Sequence, residues 1–444
     1  MNLTKTRTFL TGLAVSTAVI MSSSMAHSEN LPIVFVHGDS DTSALWITQM
    51  WRFESNGYAA EKMFALDLAH PGAPQDNTKK EDNRSTTKDA ATALGAVVDR
   101  ALKSTGAAKV ALVGNSRGCS TIRNYVKNFG GAAKVAKMVM TGCVYNGVFN
   151  FPGAAEGSEY NASGTFLKTL NAGVIIPDGV QVSTIRSDKF DLYNQPMGDF
   201  IGMAGKPIGG NYTGPELKGA INHMIPNADH RETAFSPEAF LLIYEAVTGS
   251  KPKTTDIAAE KTVALNGKVS GWANARPTNM PLVGAKVSVY KTDSATGKRM
   301  GDAVHEKVIG ENGQWGPFNG ASDATYEFVI SADGHPTTHI YRSAFPRSSA
   351  FVNLRLYPLE GDALKAKNSL GMMRPRGYYG ARQDKIEFDG KTAKGLIDHD
   401  VPANWKVFSN SDNVVSVTGS FNGEKITGQT WPVAGHAAWL ELTY

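Results

Sequence analysis

Lys109-Val110-Ala111-Leu112-Val113 runs straight into Gly114-Asn115-Ser116-Arg117-Gly118, and the reading of this stretch decides the fold. The first five residues form a short apolar run, the pattern of a buried strand. From Cys119 to Phe129 the apolar residues Ile122, Tyr125, Val126 and Phe129 recur at helical spacing. A serine on a sharp strand-to-helix turn needs glycine two residues before and two after it, because a larger Cβ would clash across the turn. Such an elbow exposes the hydroxyl. It also sets the amide after the serine at a helix N-terminus, where it can face a developing oxyanion. Ser116 is the candidate nucleophile.

Working outward, the same strand–helix grammar continues on both sides. Leu31 to Val36 reads as a buried strand ending in His37-Gly38-Asp39-Ser40, Trp46 to Asn56 as a helix closed by Gly57, and Ala59 to Leu66 as a strand. Asp67 to Arg84 is polar and rich in turn residues. Ser85-Thr86-Thr87-Lys88-Asp89 then caps an amphipathic helix that runs to Lys103. Lys137 to Thr141 and Gln181 to Ile185 are further strands, and Ser236-Pro237-Glu238 caps a helix through Val247 that Gly249 closes. This alternation predicts an α/β domain over residues 27–250, a mostly parallel sheet with helices on both faces. Residues 148–178 interrupt the rhythm with Phe149, Phe151, Phe166, Leu167 and Leu170 among many small residues. They predict a small cap over the site.

From Lys251 the grammar changes. Lys-Pro-Lys-Thr-Thr is a linker, and beyond it short alternating runs such as Lys286 to Tyr290 and Tyr326 to Ile330 are separated by Gly, Asp and Asn. That predicts an all-β sandwich over 251–360. A further set of strands at 361–444, including Lys385 to Phe388 and Ala438 to Leu442, is either a second β-domain or a continuation of the first.

The chain of 444 residues is too long for one ordinary core, and 41% hydrophobic with 19% charged residues is the composition of a folded protein. At the N-terminus, Lys5 and Arg7 precede an apolar run from Phe9 to Met21, and Ser24-Met25-Ala26 offers a cleavage site. Residues 1–26 therefore read as a signal peptide, which predicts a secreted or periplasmic protein. The run is too short to span a membrane comfortably, and no other segment has the length and apolarity of a span. Loss of Lys5 and Arg7 with the leader takes the formal charge from +4 to +2. With no dense basic tract, nucleic acid is not an expected partner. No His, Asp or Glu set has metal-ligand spacing, so no metal and no cofactor is expected. Cys119 and Cys143 fit neither a zinc site nor a CxxC motif. They end or follow strands that can be neighbours, so a disulfide and a pair of buried thiols are both open.

A serine hydroxyl needs a histidine to take its proton and an acid to orient that histidine. In a doubly wound hydrolase the chain order is serine, acid, histidine, with the histidine between the last strand and the last helix. His230, just upstream of the Ser236 cap, is placed that way; His223 is the rival, and His70 precedes the serine. For the acid, Ser187-Asp188-Lys189-Phe190-Asp191 follows a strand, and Asp191 is favoured over Asp188 by its spacing to Pro196. For the oxyanion, the amide of Asp39 after the first strand joins that of Arg117. The Asp39 carboxylate must then point elsewhere.

With these residues assembled, the chain resembles the α/β-hydrolase lipases and esterases that are secreted and carry a C-terminal β-domain. Trp51-Arg52-Phe53-Glu54-Ser55-Asn56-Gly57-Tyr58, Ala132 to Ala136, Ser236 to Phe240 and Gly249 to Ile257 carry the likeness beyond the elbow, and it extends over about 31–360. The resemblance implies an α/β-hydrolase fold with Ser116 as nucleophile, His230 as base, and Asp39 and Arg117 as oxyanion donors. It also implies an ester substrate; the β-domain and the apolar cap, which could add a hydrophobic surface, favour an acyl lipid or a polyester, with small soluble esters and lactones left open. Two features depart from the family pattern. Asn115 and Arg117 flank the serine where relatives carry Gly-His-Ser-x-Gly. Thr141-Gly142 stands where close relatives can carry their acid, which leaves that role to Asp191 or Asp188. A non-catalytic lipid- or polymer-binding protein with a vestigial hydrolase domain is the alternative, and an intact serine, histidine and acid argue against it. The sequence carries no signal of oligomeric state.

Overall fold

The computed structural model describes residues 31–199, 202–358, 368–380, 384–392, 400–401, 404–409 and 412–444. The expected signal peptide at 1–26 lies outside the described residues.

The hydrolase part is built on a six-stranded parallel sheet. Its strands are β1 (Ile33–Val36), β2 (Met63–Leu66), β3 (Val110–Asn115), β4 (Val135–Thr141), β5 (Gln181–Arg186) and an edge strand Ile221–Met224. They lie in the order β2-β1-β3-β4-β5-edge. Alternation along β1 sorts its side chains to opposite faces. Val34 and Val36 join Ala90, Leu94 and Val98 of helix α2 (Thr87–Thr105) and Ile122 of α3 (Arg117–Asn128). Ile33 and Phe35 join Phe53 of α1 (Ile47–Ser55) and Phe240 and Ile243 of the last helix, Pro237–Thr248. Phe53 sits edge-on to Phe35, Tyr58 and Phe240, which fixes how α1 and the last helix meet. Each face of the sheet thus has its own fully buried layer.

Local chemistry sets the helix ends. Thr86 and Asp89 form a reciprocal capping box at the start of α2, and Gly106 closes it in the left-handed region. Ser236 caps the last helix by accepting from the Ala239 amide, with Pro237 in its first turn. Over 59–66 the structure differs from the sequence expectation. Ala60–Lys62 forms a 3₁₀ turn and only Met63–Leu66 is strand, because only these four residues pair with β1.

In the C-terminal half one seven-stranded sheet runs through both stretches that the sequence left as either two domains or one. Thr337–Arg342 pairs in parallel with His436–Glu441, which pairs in parallel with Asn368–Met373. One core gathers Val287, Val289, Trp315, Phe328 and Ile340; a second gathers Leu370, Met372, Phe388, Phe421 and Leu440. The β-region is seated on the hydrolase part. Trp51 of α1 is buried in the first β core and donates to the Ser348 carbonyl at 2.9 Å. Asn279 donates to the carbonyls of Asp41 and Leu68, and Arg347 pairs with Glu54 at 2.9 Å.

Candidate active site

Ser116 joins the end of β3 to α3 with φ 55° and ψ −121°, a conformation that costs a non-glycine residue free energy and is held only by its surroundings. The flanking glycines permit it. A Cβ on Gly114 would come within 2.5 Å of Ile122 Cδ1, and one on Gly118 within 2.4 Å of the Val36 carbonyl oxygen. The loop after β1 passes as closely, since a Cβ on Gly38 would sit 3.0 Å from Ser116 Cβ.

That loop is oriented by His37. Its Nε2 accepts the Leu68 amide at 3.2 Å, so Nδ1 carries the proton and donates to the Gly38 carbonyl at 2.7 Å. Burial lowers the His37 pKa and keeps the ring neutral. Within one planar peptide the C=O and N–H point in opposite directions. Holding the Gly38 carbonyl against His37 therefore turns the Asp39 amide away from His37. The Asp39 carboxylate is used elsewhere: Oδ1 accepts from Ser40 at 2.6 Å, and Oδ2 accepts from the Ala73 amide at 2.8 Å and the Tyr160 hydroxyl at 2.6 Å.

Across the site, His230 Nδ1 lies 2.8 Å from Asp191 Oδ1, with both side chains at most 2% exposed. Asp191 is itself fixed. Its Oδ1 accepts the Tyr193 amide at 2.9 Å and its Oδ2 accepts Asn194 Nδ2 at 2.8 Å. Asp188, the second candidate acid, is committed to other contacts. Its carboxylate accepts the amides of Phe190 and Asn227 at 3.2 and 3.1 Å, and so closes the turn after β5. His223 lies in the edge strand and lines a different groove, with Gln181 and Leu242.

The unusual flanks of the serine have structural partners. Asn115 Nδ2 donates to the Thr141 carbonyl at 3.1 Å and to the His230 carbonyl at 3.3 Å, which ties β4 to the histidine loop. Arg117 makes a buried, bidentate pair with Glu159 (Nε–Oε1 2.6 Å, Nη2–Oε2 3.1 Å) and donates to the Pro71 and Ser85 carbonyls. Burial alone would lower the Arg117 pKa, but Glu159 raises it above the ordinary value. Glu159 belongs to the stretch expected to be a cap. With Tyr160 on Asp39 and the Asn77 amide on the Gly157 carbonyl, that stretch is anchored as a wall of the site. Cys119, in the first turn of α3, is disulfide-bonded to Cys143 just after β4.

Ser116, His230 and Asp39 all line one cavity of about 640 Å³. Its lining includes the apolar residues Val144, Val148, Phe149, Phe151 and Met203, and the rings of Phe149 and Phe151 stack at 4.8 Å. It also includes the polar residues Arg84, Tyr193, Arg231 and Tyr378. Tyr378 comes from the C-terminal β-region. Its amide donates to Asp229 Oδ2 at 2.8 Å, and Arg374 pairs with Asp229 at 2.7 Å and with Glu232 at 2.6 Å. The residues on either side of His230 are thus held from the β-region, because Arg231 donates to the Pro375 carbonyl at 2.7 Å. The sequence reading missed Glu159, Tyr160, Arg374 and Tyr378. The run Arg374-Pro375-Arg376-Gly377-Tyr378-Tyr379 was the one available signal, a polar cluster amid alternating strands. Among the described residues no group of three or more His, Cys, Asp or Glu could hold a metal ion, and no helix is long and apolar enough to cross a membrane.

Comparison with known proteins adds the family. Residues 30–171 match the family model of class 2 lipases, and residues 261–358 match that of the lipase C-terminal domain. Among solved structures, the mature lipase BlEst2 of Bacillus licheniformis is 20% identical over 49% of this chain and 92% of its own, with a TM-score of 0.37. Lipase B of Aspergillus fumigatus is 16% identical over 51% of this chain, with a TM-score of 0.36; the match spans 54% of that lipase. A parallel sheet flanked by helices, a class 2 lipase segment and a lipase C-terminal segment together identify the chain as a member of the α/β-hydrolase lipase and esterase family that carries a C-terminal β-domain.

Proposed function

We propose that this carboxylic ester hydrolase works through an acyl-enzyme, with Ser116 as nucleophile, His230 as general base and Asp191 as the acid that orients it. The observation that carries this reading is the 2.8 Å contact between His230 and Asp191 at a cavity that also opens on the strained Ser116. His230 takes the hydroxyl proton as Ser116 Oγ bonds to the ester carbonyl carbon. The C–O bond to the alcohol then breaks, and the same proton passes from His230 to the leaving oxygen. Water repeats the cycle and releases the acid. Asp191 fixes the ring with its Nδ1–H toward the carboxylate and stabilises the imidazolium that forms. The amides of Asp39 and Arg117 receive the oxyanion, each worth about 3–4 kcal/mol in the transition state.

The apolar residues in the cavity lining favour acyl lipids or a polyester as substrate. The N-terminal pattern at residues 1–26 and the Cys119–Cys143 bond favour an exported protein in an oxidising compartment.

The test is covalent labelling. A fluorophosphonate should label the wild type at neutral pH and fail to label Ser116→Ala. Absence of labelling in the wild type would sink the reading and favour a lipid- or polymer-binding protein.

A further inference from the structure

Resting on the serine-hydrolase reading, we propose that Tyr193 and Tyr378 form a hydroxyl-binding subsite beside His230, so the preferred ester has an alcohol part that itself carries a free hydroxyl. The C-terminal β-region thereby becomes part of substrate selection.

The chemistry of the reaction orders the ester within the cavity. The histidine must return its proton to the leaving oxygen, so the alcohol part of an ester lies next to the histidine and the acyl chain lies away from it. The ring of Tyr193 packs edge-on to His230 with centroids 4.6 Å apart. Both tyrosines line the cavity that holds Ser116. Apolar residues of the same lining, among them Val148, Phe149 and Phe151, suit the acyl chain, and Tyr193 packs against the base.

Two details point to a bound hydroxyl. The phenolic oxygens lie 3.5 Å apart, at the long limit for a hydrogen bond to each other. One hydroxyl placed beside the pair, at the apex of a triangle with the two phenols, reaches both at ordinary hydrogen-bond distance, donating to one and accepting from the other. Tyr378 is also held in place. Its amide is bonded to Asp229, and the Arg231 guanidinium lies 5.2 Å over its ring. Burial, acting with Tyr193, raises the Tyr378 phenol well above its ordinary value, although Arg231 opposes this, and it stays a neutral donor throughout the working range.

The experiment compares kcat/KM for 1-octanoylglycerol and propyl octanoate, which share an acyl chain and differ in the alcohol hydroxyls. The wild type should prefer the glycerol ester by about tenfold or more, the scale of one to two neutral hydrogen bonds. Tyr378→Phe and Tyr193→Phe should each cut that preference about three- to fivefold, and the double variant should bring it close to one. Fluorophosphonate labelling of Ser116 runs alongside as the control for folding and for the serine reading. Labelled enzyme with no preference, or variants that lose activity on both esters equally, would overturn the subsite alone. No labelling of the wild type would overturn the catalytic reading and the subsite with it.

Discussion

Arg374 reaches across from the β-region to grip Asp229, the residue immediately before His230, with Nη1 2.7 Å from Oδ2. The two residues are 145 apart in the chain, and both are buried. A histidine loop that carries its own anchor to a second structural unit is set by long-range packing, because its backbone has only the short helix Glu232–Phe235 to stiffen it.

Removing that anchor strands a buried carboxylate. Arg374→Ala should cost about 3–5 kcal/mol of stability, the scale of breaking a buried ion pair from one side. Arg374→Lys should recover only part of it, since a point charge cannot reproduce the forked contact to Asp229 and Glu232. Denaturant unfolding of the three proteins gives the comparison; equal stabilities would contradict it.

The same cluster makes stability depend on pH. Burial, followed by the nearby Glu232, pushes the Asp229 carboxyl up to about 7, with Arg374 acting the other way. A raised carboxyl pKa means that the folded state holds a proton which the unfolded chain has released. The stability from this group is therefore full below the ordinary carboxylate range and is lost as pH rises through about 7. Between about pH 5 and pH 8 the Asp229 contribution should lower Tm by a few degrees. Glu232→Gln removes a main cause of the shift and should flatten that fall. A variant with the slope of the wild type would refute the assignment.

The two aspartates of the loop after β5 should separate cleanly. Asp191→Asn should lower kcat by about 10³–10⁴, the scale expected when the orienting acid of a triad is lost. Asp188→Asn should leave kcat within about threefold, since that carboxylate caps a turn. Ester hydrolysis by both variants, compared below their unfolding temperatures, decides; equal losses would leave Asp191 without its role.

The Cys119–Cys143 bond closes a loop of sequence separation 24. Replacing both cysteines by alanine should cost about 3 kcal/mol through the unfolded chain. Urea unfolding of the wild type with a reductant should move to the midpoint of the variant. Identical midpoints for oxidised and reduced wild type would show that the bond adds nothing.

How much of this was legible in the sequence depended on how local each requirement is. The elbow could be picked out because its pattern is compact, two glycines around one serine between an apolar run and a helical one, although Gly118 also answers to Val36 on the neighbouring strand. His230 could be placed by chain order. Spacing to Pro196 favoured Asp191 over Asp188 but could not separate them firmly, because the two lie three residues apart on one loop. What separates them in space is the side-chain contact to His230, which Asp191 makes at 2.8 Å. The cysteine pair stayed open until β3 and β4 were seen as neighbours. Arg117 was readable only for its backbone amide; its side chain answers to Glu159, 42 residues on. Tyr378 meets Tyr193 across 185 residues, and no spacing rule connects positions so far apart.

The parallel insertion of His436–Glu441 between Thr337–Arg342 and Asn368–Met373 has a consequence for assembly. The middle strand comes after both its neighbours in the chain. Neither neighbour can complete its ladder until that later strand is in place, so the sheet closes only when residues far apart in the chain have met. Arg374 follows directly on one of those neighbours, and Tyr378 lies four residues further. The contacts that these two residues make beside His230 therefore rest on a sheet that only a later strand can complete.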